Sequence, residues 1–216
     1  MFIGHFAAGF AAKKWISEIS LGWCFIAAQF IDLLWPFLLL FGLERVVIEP
    51  GNTVVTPLNF EHYPISHSLF GVLIWAGLFA IFFYIWKRNW RFSLFLSALV
   101  LSHWLLDFLT HRPDLMLFPG LDFKVGLGLW NSFFGTVIVE GLLFIGGVYL
   151  YFKATRAKNK TGNYALIGLI AFLVIVYLGN LFGDPPPAEE ALAYVGLSQW
   201  LLVAWGFWID RNRLPV

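Results

Sequence analysis

The stretch SHSLFGVLIWAGLFAIFFYIW, residues Ser66–Trp86, decides the fold. It runs for about six helical turns without an Asp, Glu, Lys or Arg. At a rise of about 1.5 Å per residue such a helix reaches about 30 Å, the thickness of a bilayer's hydrocarbon core. Five comparable runs flank it: approximately Ile19–Leu43, Phe92–Ser102 continuing through Thr110, Trp130–Phe152, Tyr164–Phe182 and Leu192–Ile209. Of the 216 residues, 60% are hydrophobic, 19% aromatic and only 12% charged, where a soluble domain carries about 25% charged residues. So few charges cannot cover a water-exposed surface. The sequence therefore predicts an all-α fold, a polytopic membrane helix bundle of about six transmembrane helices, with residues 1–216 forming a single membrane domain. A net charge of +1 gives no case for nucleic acid, whose binders carry a basic stripe. The single Cys24 excludes an internal disulfide and a zinc site built on several thiolates.

Orientation follows from the cations. Lys13 and Lys14, then Lys87, Arg88 and Arg91, then Lys153, Arg156, Lys158 and Lys160, then Arg211 and Arg213 occupy alternate connections, leaving only Arg45, Arg112 and Lys124 for the others. This distribution predicts a multi-pass plasma-membrane protein with both termini cytoplasmic. Three loops then face outward, 44–65, 111–129 and 183–191, the last stiffened by Pro185, Pro186 and Pro187. The first long run is read as retained rather than cleaved, since its apolar stretch is too long for a signal peptide.

An ionisable group in hydrocarbon is expensive and marks function by default. Four lie within the runs: Asp32, His103, Asp107 and Glu140. Counted from Arg91, His103 stands about 18 Å up its helix and Asp107 about 24 Å. His103, Asp107 and His111 fall at i, i+4 and i+8 and share one face. His67 follows Pro64 and Ser66 at a helix start. Asp32, His67, His103 and Asp107 can thus converge from three helices. Neutral imidazoles and carboxylates suit a divalent metal, zinc above all, whose bound water turns acidic enough for hydrolysis at neutral pH. Glu140 is as readily a helix-to-helix hydrogen bond as a functional acid, and His111, beside Arg112 and Pro113, reads as a solvated loop-edge residue.

Four segments occur in order: Gly4-His5-Phe6-Ala7-Ala8-Gly9, Phe30-Ile31-Asp32, His62-Tyr63-Pro64-Ile65-Ser66-His67-Ser68, and Ser102-His103-Trp104-Leu105-Leu106-Asp107-Phe108-Leu109-Thr110. Together they resemble bacterial inner-membrane metal-dependent hydrolases of the YdjM type. That family's pattern is an N-terminal G-H, a P-D-x-D-H, an H-R-G-x-T-H-S and an S-H-x-x-x-D-x-x-T. The resemblance covers residues 4 to about 120, making 1–120 the half that carries the motifs and 121–216 three further helices. It implies metal ligands at His5, Asp32, His62, His67, His103 and Asp107 and a hydrolytic role. Leu34 and Trp35 stand where the family has its second acid and following histidine, Tyr63 and Pro64 replace Arg-Gly, and Ser66 replaces Thr. These departures predict either one metal instead of two or a relic site. Glu140 or Glu61 would replace the missing carboxylate and shuttle protons. His5 reaches this depth only if residues 1–12 rise into the bundle as a half-helix, and the absence of a polar face there favours insertion.

The sequence reading is a membrane-embedded hydrolase acting on a lipid or lipid-linked ester or phosphoester near the outer leaflet. The alternatives are an ion- or proton-coupled transporter, and a non-catalytic membrane protein with a relic metal site.

Overall fold

The computed structural model describes residues 1–216. Five helices are long and apolar enough to cross a membrane. They are α4 (Leu69–Lys87), α5 (Trp90–Thr110), α6 (Phe133–Ala154), α7 (Lys160–Phe182) and α8 (Glu189–Arg211). Four start on a polar side chain that accepts from a first-turn N–H: Ser68 from Gly71, Asn89 from Phe92, Ser132 from Gly135 and Asn159 from Gly162. Such caps satisfy donors that the helical ladder leaves free. Between 22 and 39% of each span is buried within the chain. The outward faces, with Leu78, Ile81, Leu142, Ile145, Ile175 and Leu201 all more than half exposed, have hydrocarbon as their solvent.

The first apolar run is not one straight span. It divides into α2 (Leu21–Ala28) and α3 (Phe30–Leu40), bent by 56° at Gln29. Pro36, which lacks the N–H that would bond the Asp32 carbonyl, lies inside α3 and not at the break. The bend gives α3 its own N-terminus, and Asp32 falls in its first turn, where the helix dipole favours a carboxylate.

The half-helix is present as α1 (Ile3–Ala12), with eight of its ten residues buried. It is inside the bundle rather than on a surface. Its main partner is α6, and the approach depends on Gly147, where a Cβ would stand 2.4 Å from the Ala7 carbonyl oxygen. At its end Lys13 turns back to donate to the carbonyls of Ser17 and Ile19 at 2.8 and 2.6 Å and to Asp210 Oδ2 of α8 at 2.8 Å. Because α1 packs on α6 while α2 and α3 pack on α8, residues 1–120 and 121–216 contribute to one bundle.

Short strands close both ends. β1 (Arg45–Ile48) pairs antiparallel with β2 (Leu58–His62), β3 (Leu115–Met116) with β4 (Lys124–Val125), and β5 (Thr155–Ala157) with β6 (Arg213–Pro215). The β1–β2 hairpin sets Phe60 and Tyr63, both buried, over the end of the bundle where α5 finishes.

Candidate metal centre

Asp107 is the centre of the arrangement. It lies 1% exposed in the last turns of α5, with its two oxygens facing different partners. Oδ1 accepts from the Met1 ammonium at 2.7 Å and lies 3.1 Å from His5 Nε2. Oδ2 lies 3.1 Å from His103 Nε2 and 3.9 Å from His67 Nε2. Asp32 Oδ1, brought in by the bend at Gln29, is 3.5 Å from both of those nitrogens. His5 stacks on His103 with ring centres 3.6 Å apart.

Each imidazole's tautomer follows from what its other nitrogen touches. His103 Nδ1 lies 2.9 Å from the carbonyl oxygen of Ala28; a carbonyl only accepts, so Nδ1 carries the proton. Nε2 is then a lone pair, and it has no hydrogen-bond partner of acceptable geometry although it is fully buried. His67 is fixed by a chain. The Ser66 hydroxyl donates to Glu44 Oε2 at 2.5 Å and accepts from His67 Nδ1–H at 2.6 Å. Glu44 also accepts the Ile65 and Ser66 N–H groups, both at 2.8 Å. His67 Nε2 is therefore also directed at the carboxylates. Carboxylate-oriented histidines of this kind set ligand direction in metal sites.

Asp32 Oδ1, His67 Nε2 and His103 Nε2 form one group, with Asp32 Oδ1 3.5 Å from each nitrogen, while Asp107 Oδ2 approaches the same nitrogens at 3.1 and 3.9 Å from the side it shares with His5. A tetrahedron with ligands about 2.05 Å from zinc has edges of about 3.3 Å. Asp32, His67 and His103, with one nitrogen unpartnered, offer three of the four positions of such an ion and leave the fourth open. His5, His103 and Asp107 make an overlapping group. His103 has only one lone pair, so the two groups compete for it, and His5 Nε2 lies on the far oxygen of Asp107.

Not every residue named from sequence comes to this point. His62 and Glu61 are exposed at the end of β2, where His62 pairs across the hairpin with Arg45 and Glu61 bridges to Arg45 Nε at 3.3 Å. Glu140 is buried but lies beside the Phe2, Ile3 and Gly4 N–H groups at the start of α1. There it offsets the dipole of a helix that has no acid in its first turn. Trp35 lies edge-on to His67 with ring centres 6.0 Å apart.

His111 corrects the sequence reading: it is 2% exposed, not solvated. Its Nδ1 lies 2.9 Å from Asp114 Oδ1, its Nε2 lies 3.9 Å from Asp107 Oδ1, and its ring centre is 4.3 Å from that of Trp130. Tyr63 donates to the same Asp114 oxygen at 2.8 Å. Burial, and then the Asp114 carboxylate, push the phenol well above its ordinary pKa, so Tyr63 remains a donor. Glu44, Ser66 and Asp114 are the supporting residues that sequence reasoning missed. A loop acid reads as solvated by default, and the available signal was the Ser66-His67-Ser68 triplet at a helix start.

A family model described as YdjM inner membrane protein matches residues 1–182, a range that includes all the residues gathered above. No curated protein and no solved structure matches.

Proposed function

We propose that this chain, which belongs to the YdjM inner membrane protein family, is a membrane-embedded, metal-dependent hydrolase of a lipid or lipid-linked ester or phosphoester near the outer leaflet. The group of Asp32, His67 and His103, with the unpartnered His103 Nε2 and Asp107 beside it, carries the reading. A zinc ion held there supplies Lewis acidity and a bound water with a pKa near 7.

The chain's own groups divide the remaining work. His67, His103 and Asp107 are buried, whereas the Asp32 side chain is 25% exposed, so Asp32 marks the mouth and its second oxygen accepts a proton from the attacking water. His111, held through Nδ1–H on Asp114 and carrying a second proton on Nε2, delivers that second proton to the leaving oxygen. Water's hydroxyl goes to the acyl or phosphoryl centre, the bond to the leaving oxygen breaks, and that oxygen departs as an alcohol. Asp32 and His111 thus replace Glu140 and Glu61 in handling protons. Transport is the weaker reading, because beneath His103 the bundle is filled mainly by buried Leu96, Leu99, Val100 and Phe83, with Gln29 and Ser93 as isolated polar side chains among them.

Metal analysis of the purified chain, beside hydrolysis of ester and phosphoester lipids, tests the assignment. Wild type should hold about one zinc per chain and His103→Ala none, while His111→Ala should keep zinc and lose about 10²–10⁴-fold in turnover. Zinc retained by His103→Ala overturns the ligand set. Zinc-loaded wild type inert on every lipid ester tried overturns the hydrolase.

A further inference from the structure

The opposite end of the bundle holds a second polar assembly, about 28 Å from His67 along α4. A cavity of about 500 Å³ opens there between the α1–α2 connection, α4, α8 and the β5–β6 hairpin. Five cations line it, Lys13, Lys87, Lys158, Arg211 and Arg213, against two carboxylates, Glu18 and Asp210. Two of the cations are committed to the fold. Lys13 pairs with Asp210, and Arg213 donates to Thr155 and to the Gly162 carbonyl. The other three are exposed and form no ion pair. Lys158 makes a single bond, to the Arg211 carbonyl at 3.0 Å, and Lys87 sits 3.7 Å over the Trp86 ring.

Trp23 also lines a second, wholly apolar groove of about 330 Å³, with Phe82, Ile85 and Trp86 on the bilayer-facing flank of α4. A cationic cavity running into an apolar groove, with two tryptophans at the junction, has the chemistry of one ligand type. It matches a phosphate attached to an alkyl chain at the depth where tryptophans mark the membrane interface.

We propose that this end of the bundle holds an anionic phospholipid, its phosphate among Lys87, Lys158 and Arg211 and the start of an acyl chain on Trp23, Phe82, Ile85 and Trp86. The site is separate from the metal centre. Its occupant is a bound lipid, not the substrate, and the proposal does not rest on hydrolase activity.

Native mass spectrometry of the full chain in detergent tests it, with phosphatidylglycerol, phosphatidylcholine of the same chains, and inorganic phosphate as separate probes. Phosphatidylglycerol should bind at least tenfold tighter than either other probe. Each cation near an anionic group is worth about fivefold. Lys158→Gln with Arg211→Gln should therefore weaken phosphatidylglycerol about 30-fold and leave phosphatidylcholine unchanged, and Glu18→Gln should tighten it about fivefold. All three residues are exposed, and the melting temperature of each variant should equal that of wild type. Equal binding of the two lipids overturns the proposal, as does a double variant that binds phosphatidylglycerol like wild type. Inorganic phosphate binding as tightly as phosphatidylglycerol makes this a free-anion site and overturns the lipid assignment.

Discussion

Ser66→Ala isolates the chain that aims His67. The hydroxyl lies between Glu44 Oε2 at 2.5 Å and His67 Nδ1 at 2.6 Å, while Glu44 keeps its two bonds to the Ile65 and Ser66 N–H groups whatever stands at position 66. The substitution thus spares the turn and orphans one carboxylate oxygen and one ring N–H, at about 1–3 kcal/mol for each buried group left unpaired. Partners that orient a metal ligand are worth about 10–100-fold in metal affinity, or about 1.4–2.7 kcal/mol. In zinc at about 1,000 times the wild-type dissociation constant, bound metal stabilises the fold by about 4 kcal/mol. A 30-fold loss leaves about 2 kcal/mol. The expected outcome is a zinc-dependent rise in melting temperature about half that of wild type, with a chelator-competition constant weakened to match. Zinc affinity unchanged in Ser66→Ala but lost in His67→Ala would refute the idea that Ser66 and Glu44 orient this ligand.

His62→Ala and Glu61→Gln, both on the exposed hairpin end, should leave zinc content at the wild-type value, and loss of metal in either would bring β2 into the site. Gly147→Val should drive α1 off α6, because its Cβ would meet the Ala7 backbone. Thermal unfolding should show a loss of at least about 1–3 kcal/mol, and an undiminished melting temperature would contradict the close approach. Cys24 is fully buried, so the wild type should be silent to an impermeant maleimide added outside intact cells. Asn52→Cys should label under those conditions and Asn159→Cys should not, and the reverse pattern would invert the orientation drawn from the cations.

Hydropathy alone located the five long helices, because a bilayer leaves a run of about 20 apolar residues little choice of structure. The bend at Gln29 was not legible in the same way. Pro36 is the visible breaker in that run, yet the break comes one turn before Asp32, next to the carbonyl that His103 engages from another helix. Within the site, the spacing of His103 and Asp107 on one helix and the cost of burying them gave those two residues. His111 was obscured by Arg112 and Pro113, which suggest solvent but in the structure flank a buried ring. The family resemblance drew in His62 with His67. Strand pairing across the β1–β2 hairpin separates the two, a tertiary fact that no local spacing encodes.

The contact between Ala7 and Gly147 joins residues 140 positions apart. Ribosomes add about 5–20 residues per second, so α1 waits about 7–28 s after leaving the tunnel before α6 exists to receive it. Until then the half-helix has only α2 and α5 to pack on. Seating of α1 against α6 is therefore a late event in biogenesis, and an Ala7→Cys chain arrested before Phe133 should react with a membrane-permeant maleimide that the finished protein excludes.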